Sequence, residues 1–323
     1  MSRGNEKIVE HQTSHRISEA PEKNQDCGLL DPELEATVQG LPPLSLHIYR
    51  IDSPDDPGLM LFSSFKQWQI NVPELKRIIT SKGTPKCANP ARIDPSHFKV
   101  IKGYGGSEYL GNDNKISIFF NIGVVQNSYL TGEGKRFANT DKFVHGISLA
   151  ALAYEFNRQF SFMMTVTGDQ DDRVRIPYEE GELDFNTRPG GPNAVTFRSS
   201  RRKHQMVVGA RSVTVPTDGM PVPGVSHLVR WSAGKSSLGY TDKVPVYDGR
   251  DLEKVVLDGN DFDPNVLPLF PADVEDNMIV MVGYAINRWT KAGVEGYVDV
   301  RLSFNIVYAV VLAGNEGIET INS

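Results

Sequence analysis

Apolar and polar residues alternate near the C-terminal end of the chain in the pattern of a β-strand. The even-numbered residues from Val298 to Leu312 are all apolar, and their odd-numbered neighbours begin with Asp299 and Arg301. Because successive side chains of a strand point to opposite faces of a sheet, this period of two predicts a long strand with one buried face. Residues 278–286 repeat the pattern, and the polar segment 289–296 is typical of a hairpin connection. We therefore predict a long antiparallel hairpin that closes the core.

Shorter apolar runs between turn-forming residues predict further strands upstream. The predicted strands cover residues 44–50, 98–101, 115–122, 160–166 and 205–215. The glycine-rich segment 103–111 predicts a turn between two of them, and the Pro- and Gly-dense segment 216–224 predicts a long surface loop. Strands of this number, separated by such loops, predict a mainly β fold.

Two segments favour helices. Asn71 followed by Pro73 is a typical helix start, so a short helix is expected over residues 71–79. Residues 141–160 form the second candidate, because Ala150, Ala151 and Leu152 are strong helix formers. The predicted fold class is therefore an antiparallel β-sandwich, jelly-roll-like, with one or two short helices.

Polarity divides the chain into three predicted regions. Residues 1–40 are polar and lack strand or helix periodicity, which is typical of a flexible N-terminal arm. Residues 41–313 are expected to form the β-sandwich domain with long loops, and residues 314–323 a polar tail. An arm of this kind either stays disordered or becomes ordered on a partner.

Composition indicates an ordinary globular protein. The chain is 39% hydrophobic and 23% charged, outside the range of disordered chains, and its formal net charge of −6 argues against a whole-molecule polyanion binder. Neither Cys27 nor Cys87 has the spacing of a zinc site or redox pair, so a reducing compartment is expected. We find no apolar signal segment and no stretch of membrane-spanning length, which predicts a protein that is neither secreted nor inserted in a membrane.

Three fragments resemble catalytic or nucleotide-binding motifs, and each is incomplete. Gly234-Lys235-Ser236 lacks the first glycine of a phosphate loop, since Val229 occupies that position. The segment 103–106 lacks the third glycine of a dinucleotide-binding turn, and the segment 224–228 lacks the final glycine of a nucleophile elbow. We therefore predict no catalytic residue, no enzyme activity and no cofactor.

Two acidic loops contain oxygen ligands of the kind that calcium prefers. Their candidate ligands are Asp169, Asp171, Asp261 and Asp263. Neither loop completes the spacing of an EF-hand, so ordinary solvated acidic loops are the alternative. The sequence therefore predicts a weak calcium-like site at these residues.

One compact basic loop stands out in this acidic chain. It contains Arg198, Arg201, Arg202 and Lys203, which could neutralise phosphates of a nucleic acid. No aromatic residue is interleaved to stack on bases, so the alternative is a loop that pairs with an acidic loop of the same or a neighbouring subunit.

In general layout the chain resembles the jelly-roll coat proteins of non-enveloped icosahedral viruses. The resemblance consists of many strands, few short helices, long loops and a polar N-terminal arm, and no diagnostic motif carries it. It implies a self-assembling capsid subunit with copies of itself as partners, genomic nucleic acid as a further partner, and a location in the virion or host cytoplasm. The arm departs from many coat proteins, since residues 1–26 carry more acidic than basic residues.

Two other functions remain open at the level of sequence. A nucleic-acid-binding accessory protein would use the basic loop. A glycan-binding or glycan-hydrolysing β-sandwich would need carboxylates and the tryptophans Trp68, Trp231 and Trp289 at one groove.

Overall fold

The computed structural model describes most of the predicted domain. It describes residues 31–38, 41, 60–103, 107–132, 134–136, 143–168, 174–179, 181–187, 229–232, 235–240, 242–259, 262–292 and 298–314. The predicted strands at 44–50 and 205–215, the loop at 216–224 and most of the predicted arm and tail lie outside these residues.

The described elements are mostly strands. The helices are α1 (Pro32–Glu35), α2 (Val72–Thr80) and α3 (Ala153–Thr167), and 3-10 helices cover Ala36–Val38, Phe62–Gln67, Pro95–His97, Leu252–Lys254 and Pro264–Val266. The strands are β1 (Gly83–Thr84), β2 (Cys87–Ala88), β3 (Lys99–Lys102), β4 (Glu108–Asn112), β5 (Lys115–Ile116), β6 (Ile118–Ser128), β7 (Lys135–Arg136), β8 (Phe143–Val144), β9 (Gly146–Ala151), β10 (Val174–Arg175), β11 (Tyr178–Glu179), β12 (Glu182–Asn186), β13 (Val246–Asp248), β14 (Ile279–Ala292) and β15 (Val298–Ala313). The prediction of a mainly β fold is confirmed.

The long C-terminal hairpin is also confirmed. β14 and β15 pair antiparallel along their whole length, from Ile279 opposite Ala313 to Ala292 opposite Val298. Five strands, β6, β9, β12, β15 and β14, then form a closed sheet, because β6 pairs with β14 as well as with β9. Each of the two hairpin strands is therefore held on both of its edges.

The prediction that the hairpin has one buried face is wrong. A register shift places Gly283 opposite Tyr308 and Tyr284 opposite Ile306, so β15 contains one extra residue at Val307. A bulge of this kind reverses the facing of all later side chains. As a result, Phe304 and Ile306 join one core cluster, whereas Tyr308 and Val310 join another.

The two core clusters lie on opposite sides of the closed sheet. We call one cluster the inner core. It draws residues from all five strands of the closed sheet and therefore lies inside that sheet. One residue from each strand illustrates this: Phe119, Leu149, Leu183, Val282 and Phe304. The outer core packs β6, β14 and β15 against α2 and the 3-10 helix before it, through residues such as Phe62, Phe65, Leu75 and Ile78. Because both faces are covered by apolar side chains, the sheet is a rigid framework.

The predicted helix over residues 141–160 is wrong in its first half. Residues 146–151 form β9, whose Ile147 and Leu149 enter the inner core, while the helix begins at Ala153. Pairing with β6 and β12 overrides the helix propensity of Ala150 and Ala151. The predicted strand at 160–166 is wrong for the converse reason, since these residues continue α3 to Gly168, which ends the helix with a φ of 70°.

Most other local predictions are confirmed. α2 begins as expected, since the Asn71 side chain accepts a hydrogen bond from the Glu74 backbone N–H at 3.3 Å. The predicted strands at 98–101 and 115–122 correspond to β3 and to β5 with the start of β6. The prediction that the whole segment 103–111 is a turn is wrong, because residues 108–111 belong to β4.

The strand arrangement differs in part from the predicted antiparallel sandwich. Most described pairs are antiparallel, but β15 takes three parallel neighbours, β10, β12 and β13. The described strands form one sheet of thirteen, closed in its centre, and the small sheet β7–β8, so two stacked sheets of a jelly roll are not confirmed.

Candidate functional site

The basic loop that the sequence assigns to nucleic acid lies outside the described residues. Arg198, Arg201, Arg202 and Lys203 all fall within residues 188–228, which the structure does not describe. Nucleic-acid contact through this loop therefore stays a prediction.

One of the four predicted calcium ligands lies in the described part of the chain. Asp169, Asp171 and Asp261 lie outside it, whereas the Asp263 carboxylate accepts a hydrogen bond from the Asn265 backbone N–H at 3.0 Å. That bond caps the 3-10 helix Pro264–Val266. Among the described residues, no group of three or more His, Cys, Asp or Glu side chains could hold a metal ion.

The three tryptophans do not line one groove. The buried Trp68 donates its indole N–H to the Asn277 carbonyl at 2.8 Å, just before β14 begins. Trp231 packs edge-on against Tyr308, with the ring centres 5.7 Å apart. Trp289 lies twelve residues beyond Asn277 along β14, which corresponds to roughly 40 Å of extended strand. The groove required for a glycan-binding site is therefore not formed by these residues.

Buried polar side chains surround α3, and the sequence analysis did not identify these residues. Arg92 forms a buried ion pair with Glu155, and its second amino group donates to the Thr37 hydroxyl at 2.7 Å. One turn further along α3, Gln159 donates to the Tyr284 hydroxyl at 2.6 Å. Burial raises the pKa of Tyr284 well above its ordinary value. The Gln159 bond joins α3 to β14 of the closed sheet, and Arg92 joins α3 to the segment after β2, so these groups have a structural role.

His145 is a second buried polar residue, located just before β9. Its backbone N–H donates to the Thr187 hydroxyl at 2.9 Å, and its ring lies against Gly134. Burial lowers the pKa of His145 and the positive charge of Lys243 acts in the same direction, while hydrogen bonds to the backbone of Tyr129 oppose them. The neutral imidazole is therefore favoured in the folded protein.

The connection between β13 and β14 is described over residues 249–259 and 262–278, and these two stretches are what the name refers to below. It contains little regular structure beyond two 3-10 turns, yet apolar side chains along its length are buried. These are Leu252, Val255, Leu257, Phe262, Leu267, Phe270 and Val274, each between 0% and 6% exposed. Because so many side chains enter the two cores, the backbone of this connection is fixed on the sheet.

Hydrogen bonds hold the same connection from three directions. The guanidinium of Arg77 on α2 donates to the carbonyls of Leu252 and Val255, at 2.9 and 3.1 Å. The Tyr247 hydroxyl donates to the Asn265 side chain at 2.7 Å, and Arg230 donates to the Asn265 carbonyl at 2.9 Å. The bonds from Arg77 and Arg230 satisfy backbone carbonyls that a mobile loop would leave to water.

Two valines of this fixed connection point to solvent. Val256 is 51% exposed and Val266 is 70% exposed, and among the described large hydrophobic residues they are the two most exposed. The remaining exposed pair, Leu61 and Phe143, reach only 39% and 36%. An apolar side chain that is held outward on a rigid backbone is available for contact with another molecule.

The exposure of Val256 could have been predicted from the sequence. The run Val255-Val256-Leu257 is flanked by charged residues, and in extended chain its central member must face away from its neighbours. Val255 and Leu257 are buried, which leaves Val256 facing outward. Val266 gave no such signal, because its exposure results from a 3-10 turn.

A polar cleft of about 350 Å³ borders the connection where it meets the start of α2. Its lining includes Asn71, Glu74, Arg250 and Glu253. Arg250 is engaged with Asp248 at 2.7 Å, and this interaction lowers the pKa of the Asp248 carboxyl. Both charges of the pair are therefore committed to each other beside the cleft.

Within the described residues, no helix is long and apolar enough to cross a membrane. No family model matches this chain, and no curated protein or solved structure matches it either.

Proposed function

We propose that this chain is a structural subunit that assembles with copies of itself, and that the β13–β14 connection is part of the contact. The observation that carries the proposal is the exposure of Val256 and Val266 on a backbone that buried side chains hold in place. A preformed surface loses little conformational entropy on association, so more of its contact energy appears as affinity.

Release of water from the two valines would supply part of the contact energy. Complete burial of a valine side chain contributes about 1.5–3 kcal/mol, so covering the exposed parts of Val256 and Val266 would contribute roughly 1–2 kcal/mol each. Two such residues do not form a stable interface alone, since stable interfaces bury on the order of 800 Å² per partner. They would be the apolar centre of a larger and more polar contact.

The fold suits a subunit of a shell. A closed sheet with apolar layers on both faces resists deformation, so contacts at its margins keep a constant geometry from copy to copy. In its finer form the proposal is a viral capsid subunit, jelly-roll-like in general layout, without catalytic activity. Such a protein would occupy the virion or the host cytoplasm, with genomic nucleic acid as a further partner.

Electron microscopy combined with one pair of variants tests the proposal. Negative-stain images of the purified protein should show closed particles or rings. Val266→Asp introduces a charge at the centre of the contact and should raise the concentration needed for assembly by on the order of tenfold. Val266→Ile keeps the site apolar and should assemble like the unchanged protein.

Two results would count against this function. Solitary molecules in images at every concentration would remove the proposal altogether. Equal assembly of the Val266→Asp and Val266→Ile variants would remove the β13–β14 connection from the contact. A urea titration of both variants shows whether each one is folded, since the side chain is 70% exposed and its replacement should leave stability nearly unchanged.

A further inference from the structure

Helix α2 holds the β13–β14 connection through one of its arginines. The Nη2 group of Arg77 donates to the carbonyl oxygens of Leu252 and Val255, at 2.9 and 3.1 Å. Its Nε group donates to the Glu74 carboxylate at 2.7 Å, one turn earlier on the helix. Glu74 thereby fixes the direction of the guanidinium, so α2 reaches the connection with an oriented side chain.

The Val255 carbonyl controls the direction of the residue that follows it. This carbonyl group and the backbone nitrogen of Val256 belong to one planar peptide unit, so a fixed carbonyl also fixes the position of that nitrogen. The Val255 side chain is buried, which further restricts rotation of the peptide unit. Arg77 therefore determines how the chain enters Val256.

A second residue of the helix end acts on the other side of Val256. The hydroxyl of Ser81, the residue that caps the C-terminal end of α2, donates to the Asp258 carboxylate. Leu257 lies between Val256 and Asp258 in the chain, and its side chain is buried. The chain is therefore held where it leaves Val256 as well as where it enters.

α2 is itself fixed on the closed sheet. Three apolar side chains of the helix are buried in the outer core: Leu75, Ile78 and Ile79. Arg77 and Ser81 are four residues apart, so they lie on one side of the helix, away from the side that enters the core. The position of α2 on the sheet is thus passed on to Val256 through two contacts.

A different set of groups holds Val266. The side chain of Asn265, the residue before it, accepts a hydrogen bond from the Tyr247 hydroxyl at 2.7 Å and donates to the Trp231 carbonyl at 3.0 Å. Arg230 donates to the Asn265 carbonyl at 2.9 Å. These groups belong to β13 and to the segment before it, so the two exposed valines have separate supports.

We propose that α2 is a clamp that directs Val256 towards a second copy of the chain, with Arg77 and Ser81 as its positioning residues. The inference rests on the proposed self-assembly and assigns the support of one of the two exposed valines. A side chain whose direction is fixed before contact loses little freedom on binding, so loosening the clamp should weaken association. The clamp acts through Val256, because Val266 has its own support.

Loosening the clamp in the full chain tests the proposal. Arg77→Met removes both hydrogen bonds to the connection and keeps an apolar stem, and Ser81→Ala removes the hydroxyl at the helix end. In sedimentation velocity, each variant should assemble only at a several-fold higher concentration, and neither shift should exceed that of Val256→Ala. Lys76→Met is the matched control, since it removes one positive charge from the same helix, at a side chain that lies over the Phe62 ring.

Combination with Val256→Ala separates positioning from a general loss of stability. In a protein that already carries Val256→Ala, Arg77→Met should cause no further shift of the assembly concentration, because the side chain that it positions has been removed. In a protein that carries Val266→Asp, Arg77→Met should cause its full shift. A urea titration shows whether each variant is folded, and Ser81→Ala decides the question if Arg77→Met does not fold.

Normal assembly of Arg77→Met and Ser81→Ala, together with weakened assembly of Val266→Asp, would overturn the clamp and leave self-assembly in place. Normal assembly of Val256→Ala would do the same. An equal shift by Arg77→Met with and without Val256→Ala would also overturn the clamp, since the arginine would then act on the fold or on the connection as a whole. Failure of the unchanged protein to assemble at any concentration would overturn both proposals.

Discussion

An ion pair at α3 is buried, whereas an ion pair on the β13–β14 connection is exposed to solvent. Arg92 and Glu155 are 1% and 8% exposed and neutralise each other inside the protein. Asp251 and Lys254 form an ion pair of similar composition on the surface of the connection. The buried pair has no water to replace a lost partner, whereas the surface pair is hydrated in either state. The first region thus determines stability, and the second is free to serve contact with other molecules.

The largest expected effect comes from breaking the buried pair. Glu155→Gln removes the charge that balances Arg92 and should lower the free energy of unfolding by about 3–5 kcal/mol. A urea titration followed by circular dichroism measures the change. Asp251→Asn is the matched control at the surface pair and should leave the midpoint unchanged. Equal losses in both variants would contradict the contrast between the two regions.

A smaller loss is expected at the bulge of the hairpin. A methyl group on Gly283 would lie 2.2 Å from the Tyr308 ring, so Gly283→Ala forces the ring to move and should cost about 1–3 kcal/mol. Gly239→Ala is the matched control, because its nearest neighbour would be 3.6 Å away. A Gly283→Ala protein as stable as the control would refute the close contact that the bulge creates.

Removal of a single buried hydroxyl should have a still smaller effect. Tyr284→Phe deletes the acceptor of the hydrogen bond from Gln159 and leaves that amide buried, which should cost about 1 kcal/mol. The same urea titration detects it. A Tyr284→Phe protein that is more stable than the unchanged one would show that the hydroxyl is not needed to satisfy Gln159.

The smallest effect concerns pH. The pKa of His145 is lower in the folded protein than its ordinary value of 6.5, so the unfolded chain binds the proton more readily. Stability contributed by the neutral imidazole is present above the unfolded pKa and decreases as the pH falls through the folded pKa. Between about pH 8 and about pH 5, His145→Asn should reduce the slope of stability against pH. An equal slope in the unchanged protein and in the His145→Asn variant would contradict the assignment.

Local sequence patterns predicted the hairpin and α2 well because their signals lie in short segments. Alternation over 15 residues identified β15, and Asn71 with Pro73 identified the start of α2. The extra residue at Val307 could not be predicted, since it depends on the register against β14. The helix propensity of residues 146–151 was likewise misleading. These residues form a strand because they pair with two neighbouring strands.

The candidate interface was less accessible to sequence analysis. Its backbone is held by Arg77, Tyr247 and residues far apart in the chain, so nothing local marks it as rigid. The basic loop at 198–203 was the obvious local signal, and it lies outside the described residues.

Sedimentation velocity of the unchanged protein over a wide concentration range tests the central claim most directly. Self-association through the β13–β14 connection predicts that faster species appear as the concentration rises and that Val266→Asp shifts them to higher concentration. A single slow species of about 36 kDa, the size of one 35.8 kDa chain, at every concentration would contradict the account.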